Sequence, residues 1–119
     1  MANPNIINIS NLKGLNAGLA LTTSNQDLIT NASNSGKILR VHSIVVANTD
    51  GVTAASVTCE LGIGSNFFKI AHTVTVPPDA TLILIGRDSP LYVMENGSIR
   101  ALASASGDLD MICSYDEIS

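Results

Sequence analysis

Two histidines are the first place to look for chemistry, at His42 and His72. His72 stands on the parity of Ile70 and Val74, so it is expected to point inward. A histidine base needs a nucleophile within reach and an acid to orient it. Ser and Thr are plentiful, yet no GxSxG elbow occurs. A core histidine bonded to backbone or a hydroxyl is therefore the expected state of His72, and a small hydrolase is the least favoured reading. His42 shares the parity of Arg40. Four acids, Asp108, Asp110, Asp116 and Glu117, gather near the C-terminus. Asp108 and Asp110 could share one strand face, as a glycosidase pair or calcium ligands would. There is no DxDxDG loop, so solvated acids on an edge strand are the expectation. Gly62-Ile63-Gly64 reads as a turn, and neither a P-loop nor GxGxxG is present. No catalytic, cofactor-binding or metal-binding residue is expected.

Cys59 and Cys113 are the only cysteines. Two are too few for a disulfide scaffold, and no CxxC or Cys/His spacing suggests zinc. Each sits at an apolar position of an alternating run (Val57, Cys59, Leu61; Met111, Cys113, Tyr115). Reduced core thiols are expected, with a disulfide joining two strands as the alternative.

Composition narrows the function classes. The chain has 119 residues, of which 45% are hydrophobic, 3% aromatic and 13% charged, with a net charge of −4. That length supports one domain with a modest core. Typical domains carry about 25% charged residues, so a solvated monomer would be expected to carry more. The shortage suggests that a neighbouring chain covers part of the surface, the alternative being a Ser/Thr/Asn-rich surface that needs few ions. The six cations are scattered and the aromatics are Phe67, Phe68, Tyr92 and Tyr115. Direct nucleic-acid binding, which wants a basic patch with stacking rings, is not expected. Nor is a lectin platform, since Trp is absent. Uninterrupted apolar runs are only about four residues long, as at 44–47 and 82–85, where a spanning helix needs about 20. No membrane partner and no secretory leader are expected.

The dominant periodicity is two. Ala55, Val57, Cys59 and Leu61 alternate with Ser56, Thr58 and Glu60. Similar runs occur at 68–76, 99–106 and 109–116. Such alternation puts one set of side chains on a buried sheet face. Turn chemistry separates the runs: Asn34-Ser35-Gly36, Asn48 to Gly51, Gly62 to Asn66, Pro77-Pro78-Asp79, Asn96-Gly97 and Gly107-Asp108. Asn96-Gly97 reads as a tight hairpin between 91–95 and 98–105. Expected strands are 5–9, 18–23, 26–31, 37–47, 54–62, 67–76, 80–86, 90–95, 98–105 and 109–116. The fold class is all-β, an antiparallel sandwich with jelly-roll-like character and about 8–10 short strands.

Two strands break the alternation. Ile38, Leu39, Val41, Ile44, Val45 and Val46 place apolar groups on both faces, and so do Ala80 through Ile85. A sandwich strand has one core face, so the second must be covered, unless a bulge changes the parity. Residues 1–17, rich in Asn, read as an arm or an edge strand, and 18–119 as a single sandwich domain. An arm would pair with a neighbour's open edge by strand addition. The candidate subunit or lattice contacts are Ile6, Ile7, Ile9, Ile44, Val46, Ile83 and Ile85.

Four segments carry a family resemblance. They are Met1-Ala2-Asn3-Pro4-Asn5-Ile6, the run from Ser35-Gly36-Lys37-Ile38 to Ser43-Ile44-Val45-Val46-Ala47-Asn48, Thr75-Val76-Pro77-Pro78-Asp79-Ala80-Thr81-Leu82, and Ile112-Cys113-Ser114-Tyr115-Asp116-Glu117-Ile118-Ser119. With these the chain resembles small virion-associated proteins of tailed bacteriophages of marine and cyanobacterial hosts. The resemblance spans nearly the whole chain, through turn and strand motifs rather than chemical ones. It implies a non-enzymatic particle component: a capsid decoration or cement protein. Such a protein is made in the host cytoplasm and resides on the virion. It self-associates, with a trimer favoured, and its partners are the major capsid protein or other virion proteins. The alternative is a tail, neck or fibre component that binds a host glycan or another virion protein, with loops 50–54 and 62–66 as the contact. No cofactor is implied.

Overall fold

The computed structural model describes residues 10–86 and 88–119. In chain order the strands are β1 (Leu12–Ala20), β2 (Gln26–Asn31), β3 (Ile38–Asn48), β4 (Ala55–Ile63), β5 (Asn66–Val76), β6 (Thr81–Ile85), β7 (Leu91–Val93), β8 (Gly97–Ala103) and β9 (Leu109–Ile118). The first sheet runs β1-β9-β3-β6, with β7 also paired to β3, and the second runs β2-β8-β4-β5. Every pairing is antiparallel. The two sheets pack into the all-β antiparallel sandwich that the alternation predicts.

The alternating residues meet between the sheets. Val41, Ile44, Val46, Met111 and Cys113 of the first sheet join Val57, Cys59, Ile99, Ala101 and Ala103 of the second in one buried cluster. Burying an aliphatic side chain of this size stabilises by about 1.5–3 kcal/mol. This layer therefore supplies most of the driving force. Ile38 and Ile118, register partners on β3 and β9, are buried apart from that cluster.

Bulges account for the strands that read as apolar on both faces. On β3 the pairing with β9 shifts between Val41 and Ser43. The extra residue flips the parity, so Leu39 and Val41 before it and Ile44 and Val46 after it all face the core. On β6 the pairing with β3 steps from Ile85 opposite Ile44 to Ile83 opposite Val45. Ile85 is thereby turned inward. β5 slips as well: its register with β4 shifts on both sides of Cys59, and Thr73 takes a φ of 47°. Ala71 occupies the buried position and His72 is exposed. The expectation that His72 points inward is corrected by that irregularity.

The turn at Asn96-Gly97 is not a hairpin. β7 pairs with β3, and β8 pairs with β2 and β4, so the turn carries the chain from one sheet to the other. Asn96 has the positive φ, 62°, and the Gly97 amide donates to the Met94 carbonyl at 2.9 Å. The true hairpin is β4–β5, closed at Gly64, whose φ is +64°.

Two buried asparagines hold the crossings together. Asn31 Nδ2 donates to the Lys37 carbonyl at 2.9 Å and the Val93 carbonyl at 3.0 Å. Asn48 Nδ2 donates to the carbonyls of Thr53 and Val76 at 3.0 and 2.9 Å. Each ties a loop carbonyl to the carbonyl at a strand end, Lys37 to Val93 and Thr53 to Val76.

β1 runs unbroken through residues 17 and 18 and pairs with β9 from Leu12 opposite Ile118 to Ala20 opposite Asp110. Its Gly and Asn residues favour turns, but pairing along the whole of β9 overrides that preference. The expected strand at 5–9, with Ile6, Ile7 and Ile9, lies outside the described residues.

Candidate interaction surfaces

The outer face of the first sheet is built by register. Positions that alternate with the core residues share that face, and strand pairing sets them in rows. Gly18, Ile112, Val45 and Ile83 form one row across β1, β9, β3 and β6. The next row is Ala20, Asp110, Ala47 and Thr81. On the other side come Asn16, Ser114 and Ser43, with the Ser114 hydroxyl donating to Asn16 Oδ1 at 2.7 Å. Ile83 is 66% exposed and Ile112 is 49% exposed. Isolated apolar residues at a surface are ordinary. Here Ile83 and Ile112 flank half-buried Val45 in one row, which makes a patch.

Farther along the same face the groups are charged. Arg40 Nη2 donates to Asp116 Oδ2 at 2.8 Å, and His42 Nε2 lies 2.6 Å from the same oxygen. The bulge at His42 is what lets β3 aim both side chains at one carboxylate. The hydrogen bond from Arg40 chiefly holds the Asp116 carboxyl below its usual range; burial opposes this and His42 reinforces it. A carboxyl whose folded pKa lies below its unfolded value stabilises fully above the unfolded pKa, near 3.9 for Asp. That contribution is lost as pH falls through the folded value. Melting temperature is therefore expected to drop as pH is lowered from about 5. An Asp116→Asn variant should melt lower at neutral pH and show a flatter acid limb. Equal slopes in calorimetry would mean that the pair does not stabilise the fold.

The outer face of the second sheet is of a different kind. Glu60 lies opposite Arg100 on β8 and Lys69 on β5, and Arg100 lies opposite Asp27 on β2. Glu60 Oε1 accepts from Arg100 Nε at 3.2 Å and Oε2 pairs with Lys69 Nζ at 3.1 Å. Desolvation works against ionising Glu60, yet the hydrogen bonds from Lys69 and Arg100 outweigh it and lower the pKa. The Arg100 guanidinium also stacks 3.5 Å from the Phe67 ring centre. That ring crosses Gly62, where an added β-carbon would lie 2.8 Å from Phe67 Cε1. On this face Glu60, Lys69 and Arg100 are paired within the chain, and Asp27 stands exposed beside Arg100 with no ion pair among the described residues.

Cys59 and Cys113 are free and buried, on facing sheets. Burial pushes both thiols up to about 12. They are inert thiols of the core rather than nucleophiles.

The structure thus divides the contact candidates. Ile44 and Val46 are 0% exposed and Ile85 is 7% exposed, all within the core cluster. The parity changes at the bulges place them there, which corrects the expectation that a neighbour covers them. Ile83 is exposed on the outer face. Ile112 and Val45 join it, neither of them among the contact candidates. Their signal is an apolar residue on the solvent parity, between Asp110 and Ser114 in one case. The Arg40–Asp116–His42 cluster was also missed, because it needs the register of β3 against β9. Among the described residues no group of three His, Cys, Asp or Glu could hold a metal ion, and no helix is long and apolar enough to cross a membrane.

No protein-family model and no curated protein sequence matches the chain. A solved structure does: a chain of the acidic stable capsid structure of Helicobacter pylori bacteriophage KHP30. It is 10% identical, with a TM-score of 0.52, over 93% of this chain and 90% of that one. The chain is similar in fold to a component of a phage capsid structure. At that identity the likeness concerns the path of the backbone, and it extends over nearly the whole length of both chains. It therefore covers both sheets.

Proposed function

We propose that this chain is a non-enzymatic structural protein of a phage particle, a capsid decoration (cement) protein that self-associates and stabilises the assembled shell. The observation that carries the reading is near-complete mutual coverage with a chain of a phage capsid structure. The winding supports it. Pairs β1/β2, β9/β8, β3/β4 and β6/β5 occupy corresponding places in the two sheets, as in a double-sheet jelly roll, an architecture that recurs in viral capsid domains. The low charge and the apolar outer row suit a protein that works against other subunits.

The mechanism is mass action. A protein that binds the closed lattice and not its dissociated subunits lowers the free energy of the closed state. Each site contributes about 2.7 kcal/mol when the free protein stands at a hundred times its Kd. A specific contact buries on the order of 1,600 Å² in all. Partners on this reading are the major capsid protein and other virion proteins, and the residence is the virion, after synthesis in the host cytoplasm. Purified chain added to shells lacking it should co-sediment saturably and raise the temperature of shell rupture. Shells that neither bind it nor gain thermal resistance would rule out the decoration role.

A further inference from the structure

The two outer faces differ in a way that identifies a docking surface. The second sheet presents Glu60 bridged at once by Lys69 and Arg100. The first presents Ile83, Val45, Ile112 and Gly18 in one row, with alanines beside them. Gly18 has no local reason to be glycine. A β-carbon there would come no closer than 4.0 Å to any neighbour, and its φ is not positive. Glycine weakens a strand interior and often marks close approach of another backbone.

We infer that the outer face of the first sheet packs against the same face of a second copy of this chain, related by a two-fold axis. This rests on the self-association proposed above and names its surface. Size is the first argument. Four strands at about 4.8 Å and roughly nine residues at 3.3 Å cover about 600 Å² of plane. Side-chain relief enlarges that toward the roughly 800 Å² per partner of a specific interface.

Charge is the second argument, and it selects a copy over a foreign chain. One end of the face carries Asp110, for which no ion pair exists among the described residues. The other end carries Arg40 and His42 around the single carboxylate of Asp116. An axis that crosses the strands between Ile112 and Ser114 reverses their direction. It sets the two apolar rows side by side and lays Asp110 of each copy against the Arg40–His42 end of the other. The face is thus complementary to itself, as an isologous contact requires. Such a contact closes at two copies, so it gives a dimer in place of the trimer that the resemblance implies.

Native mass spectrometry and sedimentation of the full chain test this. The wild type should be a dimer at micromolar concentration. Ile112→Lys and Ile83→Lys, on different strands, should each weaken it on the order of a hundredfold by burying an unpaired charge. Asp110→Lys should weaken it on the order of tenfold. Thr75→Lys, on exposed β5, should leave it intact. Melting temperatures taken at concentrations where wild type and variants are all monomers should coincide and show that the variants are folded, since both isoleucines are exposed. A wild type that is monomeric at these concentrations overturns the pairing, as does a dimer indifferent to both isoleucine variants. Either result leaves the decoration role standing if shells still bind the chain. A monomer that binds shells and loses that binding in Ile112→Lys would assign the face to the shell protein instead.

Discussion

Ile44→Ala should cost about 2–5 kcal/mol of unfolding free energy, while Ile83→Ala should stay within about 0.5 kcal/mol. The two residues are one register step apart across β3 and β6, and by type they are the same. Only the bulges separate them. Ile44 is 0% exposed, set between Cys113 and Ile85 in the core cluster, whereas Ile83 stands 66% exposed beside Val45. Truncating Ile44 removes transfer free energy and leaves a cavity that strands fixed on both sides cannot close. Truncating Ile83 removes contacts with water. In melting temperature the first change corresponds to a drop of roughly 10 °C. Measurements belong at low protein concentration, where a stacked partner cannot shelter Ile83. Similar costs at the two positions would mean that β3 carries no parity change and that its apolar residues do line both faces.

That comparison marks the boundary of what the sequence discloses. Strands whose alternation is bounded by strong turn residues are legible to within a residue or two: 37–47 against Ile38–Asn48, 54–62 against Ala55–Ile63, 67–76 against Asn66–Val76. The chemistry of alternation and of Gly, Asn and Pro is local, and it sits in the letters. β1 is less legible. Its Gly14, Asn16 and Gly18 look like turn residues, and what extends them is β9, a strand more than ninety positions away, as the pairing of Asn16 with Ser114 shows. Bulges are hidden for a related reason. One extra residue inverts the meaning of every side chain beyond it, and no residue type announces it. The candidate surface suffered most. A regular strand would expose some of Ile44, Val46 and Ile85, and in the alternation over 109–116 Ile112 takes the polar parity between Asp110 and Ser114. His72 failed by the same route, through the irregular pairing of β5 around Cys59.

The turn at Asn96-Gly97 shows a third kind of ambiguity, and it leads to the other large effect. Gly97→Ala should destabilise by about 3 kcal/mol or more. A β-carbon on Gly97 would lie 2.7 Å from the Gly62 carbonyl oxygen and 2.8 Å from that of Met94. Both are backbone atoms, and neither can rotate away as a side chain would. Gly62 belongs to the neighbouring strand β4, and Met94 opens the crossing itself. Moving either would strain the place where Asn31 ties the Val93 carbonyl to that of Lys37, the last residue of the crossing from β2 to β3. By contrast Gly86→Ala, with nothing within 4 Å of the added carbon, should be close to neutral. A hairpin and a crossing make opposite demands here. A hairpin of the Asn-Gly type needs a positive φ at its second residue, which asparagine tolerates, so Gly97→Asn would be mild. The observed crossing puts the positive φ on Asn96 and needs Gly97 for space. Gly97→Asn should therefore be as damaging as Gly97→Ala, and Asn96→Gly should fold normally. Urea midpoints of the three variants decide between the two geometries, and a Gly97→Asn protein as stable as the wild type would return β7 and β8 to a single hairpin.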